Sequence, residues 1–404
     1  MANISDIHGC YGCGVCAKAC GHKVIDIRLN DDGFYEPYIA YPDKCTDCGL
    51  CRKVCAFIYD DLSLQKEIEV SYGGWSNDPQ VRQKCSSGGV GFELGKYLLS
   101  EGYRVCAVRY NVEKQRAEHY VATTQTELKQ SIGSKYLQSY TLSGFYDIEK
   151  KQKYLITGTP CQIDSFRRYA QTFHCEDKFI FMDFFCHGVP SMIVWKKYLQ
   201  WAEQKIGKIT YASWRNKFQY GWHDSWLMWL IGDKKTNQSS HSENFDNLMK
   251  AHLVSLQSRR SQGDPFYALF LGNCCLGKQC YDNCKYKYHS SSADIRIGDM
   301  WGKIYKTNEQ GVNAIIANTH KGEELLHKLN CTLIPHTFEE VAEGQMKTSA
   351  LRPTDADKVW MSLRDPNKSI VHAAKFELRK RKIRKWEGRF NHFLRILNLK
   401  YLIR

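Results

Sequence analysis

One cysteine pattern occurs twice, as Cys10, Cys13, Cys16, Cys20 and again as Cys45, Cys48, Cys51, Cys55. Each run is C-x2-C-x2-C-x3-C, the spacing by which bacterial-type ferredoxins hold [4Fe–4S] clusters, with the fourth cysteine of each run serving the other cluster. Three thiolates two residues apart can wrap one corner of a cubane, whereas the fourth is turned away from it. Cys10, Cys13, Cys16 and Cys55 are therefore assigned to one cluster, and Cys45, Cys48, Cys51 and Cys20 to the other. Gly14 and Gly49 hold equivalent places in the two loops, where backbone amides must come close to cluster sulfurs. Structural zinc needs two cysteine pairs about 15–20 residues apart and no third cysteine at this spacing. A disulfide framework would go with a secretory leader, and residues 1–20 show no basic region followed by an apolar one.

The chain has 404 residues and 18 cysteines, with 43% apolar residues. That length exceeds one ferredoxin and implies two or three domains. So many cysteines without a leader point to a reducing compartment, hence the cytoplasm. The longest apolar run, Phe179 to Val189, is interrupted by Asp183, Cys186 and His187, so a spanning helix is not expected. The net charge of +14 belongs mainly to the tail, since Lys375 to Arg404 carries eleven Lys or Arg against Glu377 and Glu387.

Residues 1–62 read as a ferredoxin-like unit, with a hairpin formed by Val24–Leu29 and Tyr35–Ile39 around Asn30-Asp31-Asp32-Gly33. A polar linker, Asp60 to Lys66, follows. From Val70 strands and helices alternate, which argues an α/β domain. Strands are expected at Val70–Trp75, Val105–Tyr110, His119–Thr123, Tyr154–Thr157, Phe179–Phe185 and Trp226–Ile231. Helices are expected at Val90–Leu99, Gln162–Tyr169 and Ile193–Lys205, and a polar loop at Lys234–Asn247. This domain divides into residues 68–150 and 151–348, with a basic helical tail over 370–404.

Cys275, Cys280 and Cys284 form a further metal-ligand candidate, for zinc, for a third cluster, or as unligated core cysteines. Cys161 and Cys186 each follow a strand in a Gly/Pro loop, where ligands collect in α/β folds. Either one, folded against the other three, would close another [4Fe–4S] site.

Ser86-Ser87-Gly88-Gly89, Gly133-Ser134-Lys135-Tyr136, Gly158-Thr159-Pro160-Cys161-Gln162, Cys186-His187-Gly188-Val189-Pro190-Ser191, Cys275 to Tyr286 and Ile297-Gly298-Asp299-Met300-Trp301-Gly302 occur in that order. Together they resemble the coenzyme F420 hydrogenase/dehydrogenase beta-subunit family, over roughly residues 5–345. The resemblance implies FAD plus a [4Fe–4S] cluster moving electrons between a partner's clusters and a hydride-accepting substrate. It implies that Ser86, Ser87, Gly88, Gly89 and Lys135 lie near the flavin, where small residues let N–H groups reach a phosphate. Gly158, Thr159 and Asp299 are further cofactor candidates, and His187 is the candidate proton donor, beside the favoured fourth ligand Cys186. Where the family tends to read Cys-Leu-Arg-Pro-Ser-Cys, this chain reads Cys275-Leu276-Gly277-Lys278-Gln279-Cys280, with a one-residue-longer gap to Cys284.

Trp214, Trp222, Trp226 and Trp229 read either as core or as the wall of a flat substrate site. In the tail, Ile383, Trp386, Phe390, Phe393, Leu394, Leu397 and Tyr401 recur at steps of three and four. Arg384, Lys385, Arg389 and Arg395 stand behind them, as in a helix lying on a membrane surface or docked on protein. No nucleic-acid reading motif accompanies these charges. The expectation is an iron–sulfur flavoprotein oxidoreductase with ferredoxin or another redox protein as partner. The alternative is an electron-transfer subunit that reduces a partner enzyme and has no substrate of its own.

Overall fold

The computed structural model describes residues 3–235, 253–282 and 284–396. The chain is α/β, with an N-terminal ferredoxin-like region ahead of a large mixed sheet. In the ferredoxin region the two cysteine runs build the same local structure. Gly14 and Gly49 both take the left-handed conformation, with φ of 74° and 75°, and each starts a short helix, Val15–Ala19 and Leu50–Lys53. A side chain at Gly14 would collide with the Thr141 hydroxyl of the following domain. The third cysteine of each run thus sits in the first turn of a helix, and the fourth follows its end. Between the runs, Ile25–Leu29 pairs antiparallel with Tyr35–Ile39. The Asn30 carboxamide accepts from the Asp32 and Phe34 amides to close the turn.

The second region is organised on an eight-stranded sheet. Its order is Cys331–His336, Val70–Ser76, Asn313–Ala317, Ile295–Asp299, Phe179–Phe184, Tyr154–Thr157, Arg104–Asn111, Arg116–Ala122. The four strands from Ile295–Asp299 to Arg104–Asn111 are mutually parallel. Val70–Ser76 is antiparallel to Asn313–Ala317, which is itself antiparallel to Ile295–Asp299, so it points the same way as the parallel four. Five strands therefore deliver their carboxyl ends to one side, where a crevice forms in open α/β sheets. The loops they deliver there are 85–89, 158–161, 185–188 and the residues beyond Asp299.

The strands expected from the sequence lie within a few residues of those observed, as do the helices Val90–Ser100, Pro160–Thr172 and Met192–Ile206. The sequence reading did not find Ile295–Asp299, Asn313–Ala317 or Cys331–His336, nor two strands of a separate three-stranded sheet, Ile209–Ser213 and Leu253–Arg259, which flank Leu227–Lys235. Most of the expected polar loop, positions 236–247, lies outside the described residues. The helix Ile370–Ile396 buries Ile370, Ala373 and Ala374 against the body and then leaves Ile383, Trp386 and Phe390 exposed. Leu397 and Tyr401, and the side chains of Phe393 and Leu394, lie outside the described residues.

The sheet's central strands are cross-braced by a buried ion pair. Arg296 donates to both carboxylate oxygens of Asp183 at 2.8 Å and to the carbonyls of Tyr288 and Ser290 at 2.9 and 2.8 Å. Both side chains are essentially without solvent contact. Removing one partner strands the other charge. Arg296→Met is expected to lower stability by about 3–5 kcal/mol, read as a fall in the urea midpoint. Adding Asp183→Asn should recover part of the loss, and an unchanged midpoint in the single variant would contradict this account.

Candidate functional site

Two cavities meet at the carboxyl edge of the sheet. The smaller, about 440 Å³, is lined by Cys10, Cys161, Cys186, Cys280 and Cys284 among others. The larger, about 780 Å³, is lined by Ser86, Ser87, Gly89, Lys135, Gly158, Thr159, His187 and Asp299. Thr159, Cys186, Gly188, Tyr286 and Lys287 line both, so the two share a wall.

In the ferredoxin region the thiols lie near one another. Cys10, Cys13, Cys16 and Cys55 are close enough to raise one another's pKa, after the larger effect of burial. Cys51 responds in the same way to Cys48 and Cys20. Cys48 is exposed, while Cys16 and Cys51 are buried. Among the described residues no three His, Cys, Asp or Glu side chains converge on the geometry of a single ion. Cubane ligation differs, since each thiolate binds a separate iron of the cube.

The third group differs from its sequence assignment. Burial raises the Cys161 thiol first, and then Cys186, Cys13 and Cys284 add to it; Cys280 responds likewise to Cys186 and Cys284. Cys161, Cys186, Cys280 and Cys284 thus surround one cavity, and Cys275 does not join them. Leu276 bridges Pro190 and lines the cavity, whereas Cys275 is buried in the core that also holds Cys274 and Phe270. Cys161 and Cys186 do not compete for one place; both strand-end loops supply a thiol.

The large cavity gathers the remaining candidates. Gly89, at φ 90°, opens the helix Val90–Ser100, whose N-terminal amides favour an anion. Gly88 lies behind this loop. A Cβ there would collide with the Gly74 carbonyl and lie 2.9 Å from the Asn313 amide nitrogen. The loop is held by Ser86 Oγ, which accepts from the Ser134 amide at 2.9 Å, and by Ser87 Oγ, which donates to the Val312 carbonyl at 2.9 Å. Lys217, which the sequence reading passed over, donates to the Ser87 carbonyl at 2.7 Å, and burial pushes its pKa down to about 8. Lys135 gives its three protons to the carbonyls of Gln130, Ser131 and Ile132 at 3.2, 2.7 and 3.0 Å. Its hydrogen bonds are therefore spent on the protein, and burial pushes its pKa down to about 7.

Asp299 ends a central strand. It accepts from Trp222 Nε1 at 3.0 Å and from Arg215 at 3.3 Å. The buried Arg215 guanidinium lies over the Trp226 and Trp301 rings, 4.6 and 4.5 Å from their centroids. Trp226 and Trp301 line the cavity, whereas Trp214, Trp222 and Trp229 are core. His187 Nε2 pairs with Asn273 Oδ1 at 2.8 Å. Burial, and then the Lys287 ammonium, hold its pKa below the ordinary histidine value.

Residues 151–334 match the C-terminal part of the family described as coenzyme F420 hydrogenase/dehydrogenase, beta subunit, and residues 71–144 match its N-terminal part. The chain belongs to this family. Residues 9–57 match the 4Fe-4S dicluster domain, so this is an iron–sulfur electron-transfer protein of the family. A chain in the structure of the F420-reducing [NiFe] hydrogenase complex from Methanosarcina barkeri is similar at 16% identity. The match covers 77% of this chain and 98% of that one, with a TM-score of 0.46. No curated protein matches.

The ferredoxin region is clamped to the family domain through one lysine beside Cys284. Lys285 donates to the carbonyls of Ala56, Tyr59 and Asp61 at 3.0, 2.7 and 2.9 Å. The expected linker is therefore tied down from its first residues. Lys285→Met removes three charge-assisted hydrogen bonds. It is expected to speed proteolytic nicking within residues 57–66 by about tenfold or more while leaving the far-UV circular dichroism unchanged; equal nicking rates would contradict the clamp.

Proposed function

We propose that this chain passes electrons between a redox partner protein and a flavin held in the 780 Å³ cavity. On this reading one [4Fe–4S] cluster is held by Cys45, Cys48, Cys51 and Cys20 and another by Cys10, Cys13, Cys16 and Cys55. A third is held by Cys161, Cys186, Cys280 and Cys284. The observation that carries the reading is the shared wall. Four thiols line a cavity that touches Cys10 on one side and the family's cofactor loops on the other.

The donor sets suit these groups. The thiols of Cys161, Cys186, Cys280 and Cys284 on the smaller cavity are the ligand type a cubane takes. The larger one has the volume of a ligand site, an apolar floor that includes Leu128, Leu155 and Ile297, and a glycine-opened helix at its edge. FAD, when bound, converts single-electron steps into hydride transfer. The 86–89 loop would receive its phosphates, with Lys217 fixing the loop from behind and Lys135 bracing the 130–132 backbone at the cavity wall. Gly158 and Thr159 would keep the backbone close at the wall shared with the cysteines. His187 and Lys287 would hold the Cys186 loop, where Lys287 donates to the Cys186 and His187 carbonyls at 2.6 and 3.2 Å.

A second reading has an organic hydride acceptor entering the same cavity, with His187 as proton donor and Asp299 behind the tryptophans. It is favoured by Trp226 and Trp301, two flat walls that line the cavity beside the buried Arg215. Soluble ferredoxin fits as partner because the exposed Cys48 group offers an outlet or inlet at the surface. None of the 18 cysteines is in a disulfide. No helix among the described residues is long and apolar enough to cross a membrane. The exposed Ile383, Trp386 and Phe390 beside Arg384 and Arg389 support peripheral contact with anionic lipid.

Anaerobically purified protein is expected to release a flavin on denaturation. Gly88→Ala, which pushes the loop off its strand, should weaken flavin binding about tenfold or more, at 1–3 kcal/mol for overpacking. Protein that carries clusters and no flavin would overturn the cofactor assignment. Steady turnover of a small molecule with reduced ferredoxin and no other protein would favour the second reading over the first.

A further inference from the structure

The helix Pro160–Thr172 starts beside the third cysteine group and ends under the sheet. It carries Cys161 in its first turn and, four residues later on the same face, Ser165. Ser165 is fully buried and belongs to the family domain, yet its contacts lie in the ferredoxin region. Its Oγ is 3.3 Å from Cys13 Sγ, and the Ala56 amide, next to Cys55, donates to the same oxygen at 3.2 Å.

These two contacts determine which way the hydroxyl proton points. The Ser165 oxygen accepts from the Ala56 N–H. A cysteine bound to iron is a thiolate and has no proton to give. The one proton available between Ser165 and Cys13 is then the serine's own, so Ser165 donates an O–H···S hydrogen bond to Cys13. We infer that Ser165 sets the reduction potential of the inner cluster, the one held by Cys10, Cys13, Cys16 and Cys55, by hydrogen bonding to a ligand sulfur. The inference rests on the ligand assignment of the proposed function.

The sign follows from charge. Reduction adds one electron to the cluster and moves no proton, so negative charge on the ligand sulfurs grows. A donor aimed at one of them binds the reduced state more strongly than the oxidised one and raises the potential. The motif itself supplies a backbone donor, the Gly12 amide on Cys10 Sγ at 3.4 Å, which any such loop can offer. Ser165 is different in origin, since it reaches the cluster only when the ferredoxin region is docked on the helix that also bears Cys161. The domain that would receive the electron thus makes the cluster delivering it easier to reduce, and does so only in the assembled fold.

The test is a potentiometric titration of the full chain, reconstituted anaerobically with iron and sulfide and followed by EPR. Ser165→Ala is expected to move one cluster couple to a more negative potential, leaving the other couples and the iron content as in the wild type. Ser165→Gly removes the same hydroxyl with different packing and must move the same couple in the same direction. Ser165→Thr keeps the donor and should restore the wild-type value. Couples that stay in place in both the Ala and Gly proteins would overturn the inference, as would a shift shared by all the clusters or a Thr protein shifted as far as Ala. A wild-type protein lacking the inner couple would instead defeat the ligand assignment, and this inference with it.

Discussion

One buried carboxylate ties the helix Pro160–Thr172 to the chain that leaves the ferredoxin region. Asp164, on the helix that carries Cys161 and Ser165, accepts from the Ser63 amide at 2.7 Å, the Ser292 hydroxyl at 2.7 Å and the Tyr286 hydroxyl at 2.8 Å. Lys285 and Arg168 stand 3.5 and 3.9 Å from it. Burial alone would raise its pKa, but these hydrogen bonds hold it below the ordinary aspartate value, so the carboxylate stays charged where it is. One side chain thereby joins the end of the ferredoxin region, the helix of the 158–161 loop and the segment after Cys284. Tyr286, held by Asp164, also meets Tyr11 edge-on, with ring centroids 5.6 Å apart. The positions of the inner and third cysteine groups are thus set by the same network.

Cys48 is exposed, Cys13 lies against the helix Pro160–Thr172, and Cys186 borders both cavities. On the proposed function, a partner protein would meet the exposed Cys48 and a ligand would occupy the large cavity. Such separation suits an electron carrier, whichever molecule accepts the electrons.

The parts of the fold legible in the sequence were those whose signal is local. Cysteine spacing marked the two loops in which Gly14 and Gly49 stand, and apolar runs marked four of the five strands that point the same way. Ile295–Asp299 and Cys331–His336 were missed because Arg296 and Gly298 break the apolar pattern of the first and Thr332 and Pro335 that of the second, and Asn313–Ala317 because its apolar run is only four residues long. Arg296 is tolerated in the sheet centre only because Asp183 lies across from it, a fact no local window contains. The cofactor loops were legible as ordered Gly-rich motifs. Their supports were not, since Lys217 and Ser87 are 130 positions apart and Ser165 and Cys13 are 152 apart. Cys275 was grouped with Cys280 on sequence proximity, whereas in the fold it is buried in the core and does not line the cavity that Cys280 lines.

The central claim is that three thiolate groups, the last made by Cys161, Cys186, Cys280 and Cys284, connect the surface to the large cavity. Its most direct test is the iron and acid-labile sulfide content of the anaerobically prepared full chain. The account predicts about twelve irons per chain, falling to about eight in Cys161→Ser and staying near twelve in Cys275→Ala, because each [4Fe–4S] cluster takes four cysteines. About eight irons in the wild type, or a loss of iron on replacing Cys275 and none on replacing Cys161, would contradict it.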